Sequence, residues 1–228
     1  MMSASTAAGA AADGAVEELS FAERAYRALR DRLVMLEIRP GEPVNEDQLA
    51  HDLGFGRTPV REALKRLQYE RLIATYHRRG TFATEVNITD LAHISEVRQQ
   101  LEPMAAAQAA RRAGEHDRAV LGALLEELGA GDPEHRPAGE LMRLDLRVHR
   151  AIYAATHNPY LEDTLVRHDN LATRIWCLFL DRLPGGVLGH VEEHRPLLEA
   201  IIAADPATAE QLAGSHVERF EKAVRAAI

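Results

Sequence analysis

Six consecutive residues constrain this chain more sharply than any others: Gly54-Phe55-Gly56-Arg57-Thr58-Pro59 sets two glycines before a threonine and a proline. Glycine takes a left-handed turn without strain, and proline suits the first turn of a helix, where its missing N–H has no partner to lose. One helix is therefore expected to end at Gly54 and another to open at Thr58-Pro59, with Thr58 as N-cap, Pro59 at the first helical position and Glu62 near the positive end of the dipole. The earlier helix starts from an Asn45 cap and runs through Leu49, Ala50 and Leu53, and the later one buries Val60, Leu64 and Leu67, with Leu72 beyond. Upstream, Ala22, Tyr26, Leu29, Leu33 and Leu36 recur at helical spacing within Leu19 to Ile38, and Arg39-Pro40-Gly41 stops that helix. Downstream, Leu72 to Tyr76 and Thr81 to Thr84 read as two short strands joined by the basic turn His77-Arg78-Arg79-Gly80. Three helices followed by a hairpin are a winged helix-turn-helix.

Charge supports that reading once it is counted by segment. The chain has a formal net charge of -8, the wrong sign for a polyanion's partner. Between Phe55 and Phe82, however, seven bases face two acids, whereas from Glu85 onward 15 bases face 23 acids. A basic patch on an acidic body suits selective phosphate binding with little stray adhesion.

Beyond Val86 the strand signals vanish, and six amphipathic stretches follow: Thr89 to Ala113, Glu115 to Leu128, Ala138 to Thr156, Pro159 to Leu183, Leu188 to Ala203 and Pro206 to Ala227. The expected fold class is thus mainly α, a winged head followed by an all-helical bundle of about six helices. At 228 residues two compact domains fit the length. The expected division is a disordered tail over 1–16, a DNA-binding head over 17–86 and a helical body over 87–228, with a mobile loop from Gly129 to Arg136. The single Cys177 can form no intrachain disulfide, and no apolar run reaches the length of a bilayer span. A cytoplasmic protein with no membrane partner is expected.

A helix that enters the major groove presents arginines near its N-terminus while its other face packs inward. Arg57 and Arg61 are placed to reach base edges or adjacent backbone, the Thr58 hydroxyl and first amides to hold a phosphate, and Lys65 and Arg66 to touch phosphate further along. In the body, Asp145 and His149 are four apart on one predicted helix, so both can face a single ion. His194 and His216 lie on later helices, and three imidazoles with a carboxylate suit Zn(II), with Ni(II) or Mn(II) also possible, rather than Ca(II) or Mg(II). Spacing alone leaves His190 open as well, because it lies four residues before His194.

Leu49-Ala50, Leu53-Gly54, Arg57-Thr58-Pro59-Val60-Arg61-Glu62-Ala63-Leu64 and Leu67 resemble the GntR family of bacterial regulators. In its FadR-type branch this segment contacts the operator and the wing glycine enters the minor groove, which implies DNA-binding roles for Arg57, Thr58, Arg61 and Gly80, with Arg79 beside Gly80 in the basic wing. The fatty-acid-responsive member carries an arginine where this chain has Asp47, so its operator is not carried over. From about Leu91 to Ala227 the chain resembles the FCD domain, the helical ligand-binding domain of that branch. The resemblance implies Asp145, His149, His194 and His216 as the metal set, matched residue by residue, with no counterpart for His190, and it points to the metal-dependent, VanR-like six-helix branch. It also sets Arg98 where a cavity-facing arginine would clamp a carboxylate; the alternative is a surface arginine paired with Glu102. The function implied is a homodimeric transcriptional regulator, usually a repressor, that binds a palindromic double-stranded DNA operator and responds to a small carboxylate effector held at the metal. A metal sensor, in which the ion is itself the effector, is the alternative, and a metal-dependent hydrolase a weaker one, since no HExxH motif or other general base stands out.

Overall fold

The computed structural model describes residues 19–130, 135–182 and 186–228. The expected tail over 1–16 and the centre of the expected loop at Gly129 to Arg136 lie outside these residues. The head comprises α1 (Phe21–Val34), α2 (Glu46–Leu53), α3 (Arg57–Tyr69), β1 (Ile73–Tyr76) and β2 (Gly80–Ala83). Ser20 caps α1 by accepting from the Glu23 amide, and Asn45 caps α2 by accepting from the Asp47 and Gln48 amides. Gly54 ends α2 at φ 68°, the left-handed turn that its sequence context demands. Helix α3, however, begins one residue before the expected cap: Gly56 is the N-cap and Thr58 lies inside the first turn. The strands pair antiparallel from Ile73 opposite Ala83 to Tyr76 opposite Gly80, and Pro43 bridges Phe82 from the loop before α2.

The body comprises α4 (Asp90–Arg112), α5 (Glu115–Gly129), α6 (Ala138–Ala154), α7 (Pro159–Cys177), a single 3-10 turn (Leu180–Arg182), α8 (Gly186–Glu192), α9 (His194–Ile202) and α10 (Pro206–Ala227). The fifth expected stretch is therefore two helices, broken at Glu193. Pro196 explains the break, because its ring would clash with the carbonyl four residues earlier, at Glu192, and it has no N–H to donate. Asn158 and Asp205 cap α7 and α10. Small residues decide how α4 packs: Ala105, Ala106, Ala109 and Ala110 are buried, and Gly214 of α10 places its backbone close to the ring of Pro103, so the two long helices lie close together along the core.

Head and body each have an apolar core, and Leu146 of α6 belongs to the head's. Around that side chain, Arg150 reaches Asp31 of α1 at 2.9 Å and Arg143 pairs with Glu37. On the far side, Arg174 of α7 donates to the Thr84 hydroxyl and carbonyl at 2.6 and 2.7 Å, just past β2. No helix among the described residues is long and apolar enough to cross a membrane.

Candidate nucleic-acid interface and metal centre

Helix α3 buries Val60, Ala63, Leu64 and Leu67 against α1 and α2. The opposite face is thereby left for Arg57, Arg61 and Lys65, which recur every four residues and are exposed. Thr58 and the wing residues Arg79 and Gly80 are exposed too, with Gly80 at φ 100° where a side chain would be strained. Arg66 is placed differently from the expectation. It turns back onto the head, pairing with Glu23 at 2.9 Å and lying 3.6 Å from the centre of the Tyr26 ring, while staying half exposed.

Two exposed ion pairs hold the arginines of the recognition face. Arg57 meets Asp47 at 2.9 Å, and Arg61 meets Glu46 at 2.7 Å, with the Glu46 hydrogen bond holding the Arg61 guanidinium above its usual range. Both acids lie in the first turn of α2, where the helix dipole favours them. A nucleic acid docking on this face would have to displace these carboxylates to reach the arginines. The double variant Glu46→Gln, Asp47→Asn is therefore expected to bind DNA of any sequence several-fold more tightly at low salt, with a steeper fall as salt rises. Fluorescence anisotropy across a salt series with a random duplex measures both quantities.

In the body, Asp145 and His149 of α6, His194 at the start of α9 and His216 of α10 converge, their candidate ligand atoms all lying within 4.8 Å of one another. All four are buried, His194 completely. The surrounding groups orient the rings. A carbonyl only accepts, so the 3.2 Å contact of His194 Nδ1 with the Val191 carbonyl puts the proton on Nδ1 and the lone pair on Nε2. Glu193 does the same for His216, accepting at 2.9 Å from Nδ1 while held by Arg219 at 2.5 Å. His149 contacts the Tyr153 hydroxyl through Nδ1 at 3.1 Å and His194 Nε2 through its own Nε2 at 3.2 Å.

Burial, and then the neighbouring rings, hold His194 down to about 3 and His216 well below the usual imidazole range; for His149 the second cause is Arg98. Neutral imidazoles are the form that binds metal. Burial followed by Asp169 pushes the Asp145 carboxyl well up, a cost that a bound cation would offset. Asp145 Oδ1 and His216 Nε2 are both buried without a hydrogen-bond partner, although orphaned buried polar atoms are expensive. Two unpaired acceptors in a pocket of neutral imidazoles fit a divalent transition metal.

His190 shares the neighbourhood but not the set. Its Nε2 lies 3.5 Å from Asp145, and its ring sits between Trp176 and His216, at 4.3 and 4.4 Å between centroids. Arg98 is not the surface arginine of the alternative: it is 2% exposed, pairs with Glu102 and has Asp169 at 3.5 Å. Burial would pull its guanidinium down, but Glu102 and Asp169 outweigh this and hold it up. Around the four candidate ligands stand Glu102, Asp169, Glu193 and Tyr153, none of which the sequence reading placed there. None carries a metal-like spacing; only the four-residue interval from Arg98 to Glu102 hinted at one of them.

A head with an exposed basic helix and wing, on a helical body with a buried polar centre, is the architecture of a DNA-binding regulator rather than an enzyme. Residues 21–83 match the bacterial regulatory proteins of the gntR family, and residues 93–219, more than half the chain, match the FCD domain. This chain belongs to the GntR family and carries an FCD domain as its body. It is 28% identical over 198 residues to the HTH-type transcriptional repressor GlaR of Escherichia coli, covering 84% of this chain and 90% of that one. The galactonate operon transcriptional repressor of the same organism is 28% identical over 219 residues, covering 86% and 93%. Among solved structures, E. coli McbR/YncC superposes with a TM-score of 0.77 at 23% identity, over 91% of this chain and 98% of that one, a likeness of fold.

Proposed function

We propose that this protein is a cytoplasmic, homodimeric repressor that binds a palindromic operator and holds Zn(II), or alternatively Ni(II) or Mn(II), at Asp145, His149, His194 and His216. A small carboxylate bound beside that ion, with Arg98 as its second anchor, sets the operator affinity. When bound, the ion supplies a Lewis-acid centre for a carboxylate oxygen. Arg57, Thr58 and Arg61 read the major groove, Lys65 holds phosphate, and Arg79 and Gly80 carry the wing. One head alone buries too little DNA for tight binding, whereas two heads on a palindrome combine their contacts and set the half-site spacing.

The observation that carries this reading is the double duty of α6. One side of that helix presents Asp145 and His149 to the buried centre; another presents Arg143, Leu146 and Arg150 to the head. A helix is stiff along its axis, so a shift that lets Asp145 and His149 follow a ligand also moves the groups that seat α1. Coupling of about 1–3 kcal/mol would change operator affinity 5- to 150-fold.

The test is operator affinity of metal-loaded and chelator-stripped full-length protein, each with and without a panel of short carboxylic acids. An acid should weaken the loaded protein's binding and leave the stripped protein's unchanged. Affinity that tracks free metal with no acid present would replace this reading with a metal sensor. Asp31→Ala removes the α1 anchor of Arg150 and is expected to keep basal operator binding while the response to acid shrinks to about threefold or less.

A further inference from the structure

A second cleft, of about 560 Å³, opens where the wing passes into the body. It is separate from the histidine centre. Its apolar wall is Val86 with Ile94 and Val97 of α4 and Leu171 and Ile175 of α7. On α7, Arg167, Leu171 and Arg174 follow one helical stripe, so the same face supplies both cations and apolar surface. Arg71, at the entry to the wing, adds a third cation.

These arginines lack counter-ions. Among the described residues no carboxylate lies within ion-pairing distance of Arg71, Arg167 or Arg174, although nearly every arginine of α1 and α6 has such a partner. Arg174 is the telling case. It is 2% exposed, its two terminal nitrogens donate to neutral oxygens of Thr84, and its Nε is buried with no partner at all. Burial pulls its guanidinium down to about 10, with Glu85 only partly opposing this. Two acids, Glu85 and Asp90, also stand on the wall. Neither neutralises Arg174: Glu85 rests its carboxylate against Gly41, and Asp90 accepts from the Asn87 amide at 3.4 Å. A buried cation without a direct ion pair costs more than a paired one, and an apolar wall set beside convergent polar groups is the usual form of a small-molecule site.

We propose that this cleft is a second effector site, taking an organic monoanion with an apolar body: its anionic end lies toward Arg167 and Arg174, and its body against Ile94, Val97 and Leu171. An occupant would touch α4, α7 and the chain leaving the wing at once. It would thereby fix how the head sits on the body. This inference does not rest on the metal reading.

Octanoate and benzoate are the probes, titrated calorimetrically into full-length protein, with inorganic phosphate as an anion that lacks an apolar body. Octanoate or benzoate is expected to bind, and phosphate at least about tenfold more weakly. Arg167→Ala, which removes a partly exposed side chain, and Val97→Trp, which fills the cleft, should each weaken binding about tenfold or more, whereas His194→Ala should leave it unchanged. Methyl NMR shifts confined to Ile94, Val97 and Leu171 on octanoate addition guard against misfolding of either variant. No binding by either organic acid, binding unchanged in Arg167→Ala, or binding lost only in His194→Ala would each overturn the proposal. Failure of metal binding in His194→Ala leaves it untouched.

Discussion

Arg61→Ala is expected to lower affinity for the specific operator about 10- to 100-fold while leaving thermal unfolding nearly unchanged. The expectation follows from what Arg61 touches. Its side chain is exposed, buries nothing in the core, and makes its one ion pair with Glu46, so truncation removes little that folding uses. On DNA the same guanidinium, one turn into α3, offers a planar fork that matches the acceptor edge of guanine. Lysine lacks that geometry, so Arg61→Lys should recover charge without recovering discrimination. Lys65→Ala is the contrasting case: it should weaken operator and scrambled duplex alike and lower the salt slope by about one. Anisotropy titrations with operator and scrambled duplexes measure the ratio directly. An Arg61→Ala protein whose ratio equals the parent's would remove Arg61 from base reading.

The contrast between Arg61 and Arg66 shows where sequence reasoning stops. Both lie on α3 and carry the same charge, but α1 lies beside only one of them. Glu23 and Tyr26 engage Arg66, and that contact joins residues distant in sequence, which a local pattern does not encode. The head was otherwise legible because its signals are local: a cap at Asn45, a left-handed Gly54, a hairpin around Gly80. The misplaced start of α3 has a physical cause. A proline is tolerated anywhere in the first turn, since none of those amides has an intrahelical partner, so Pro59 marked the turn and not the residue. In the body, helical spacing put Asp145 and His149 on one face, but it did not choose His194 over His190; the family resemblance made that choice. The groups that orient the ligands were not legible: Glu193 owes its place to the break before α9, which Pro196 signals, and Asp169 reaches Arg98 only through the packing of α7 on α4.

His149→Ala and His194→Ala are each expected to reduce bound metal from about one ion per chain to near zero, while His190→Ala retains it. The reasoning separates ligation from packing. His194 and His216 have their Nδ1 protons held by Val191 and Glu193, so each turns a lone pair inward, and His149 completes the three imidazoles around Asp145. His190 instead stacks between Trp176 and His216, and losing it leaves a cavity beside the site without emptying it. All three substitutions remove a buried ring and so lower stability, which makes the unfolding temperature alone ambiguous. The increment on adding metal is not. An ion at 1,000 times its Kd stabilises the folded state by about 4 kcal/mol, so the parent and His190→Ala should lose several degrees on chelation, and His149→Ala and His194→Ala almost none. Metal analysis of the purified variants reads the same distinction independently. Full occupancy in both His149→Ala and His194→Ala would dissolve the proposed centre, and with it the reason for two orphaned acceptors, Asp145 Oδ1 and His216 Nε2, to lie buried in the core.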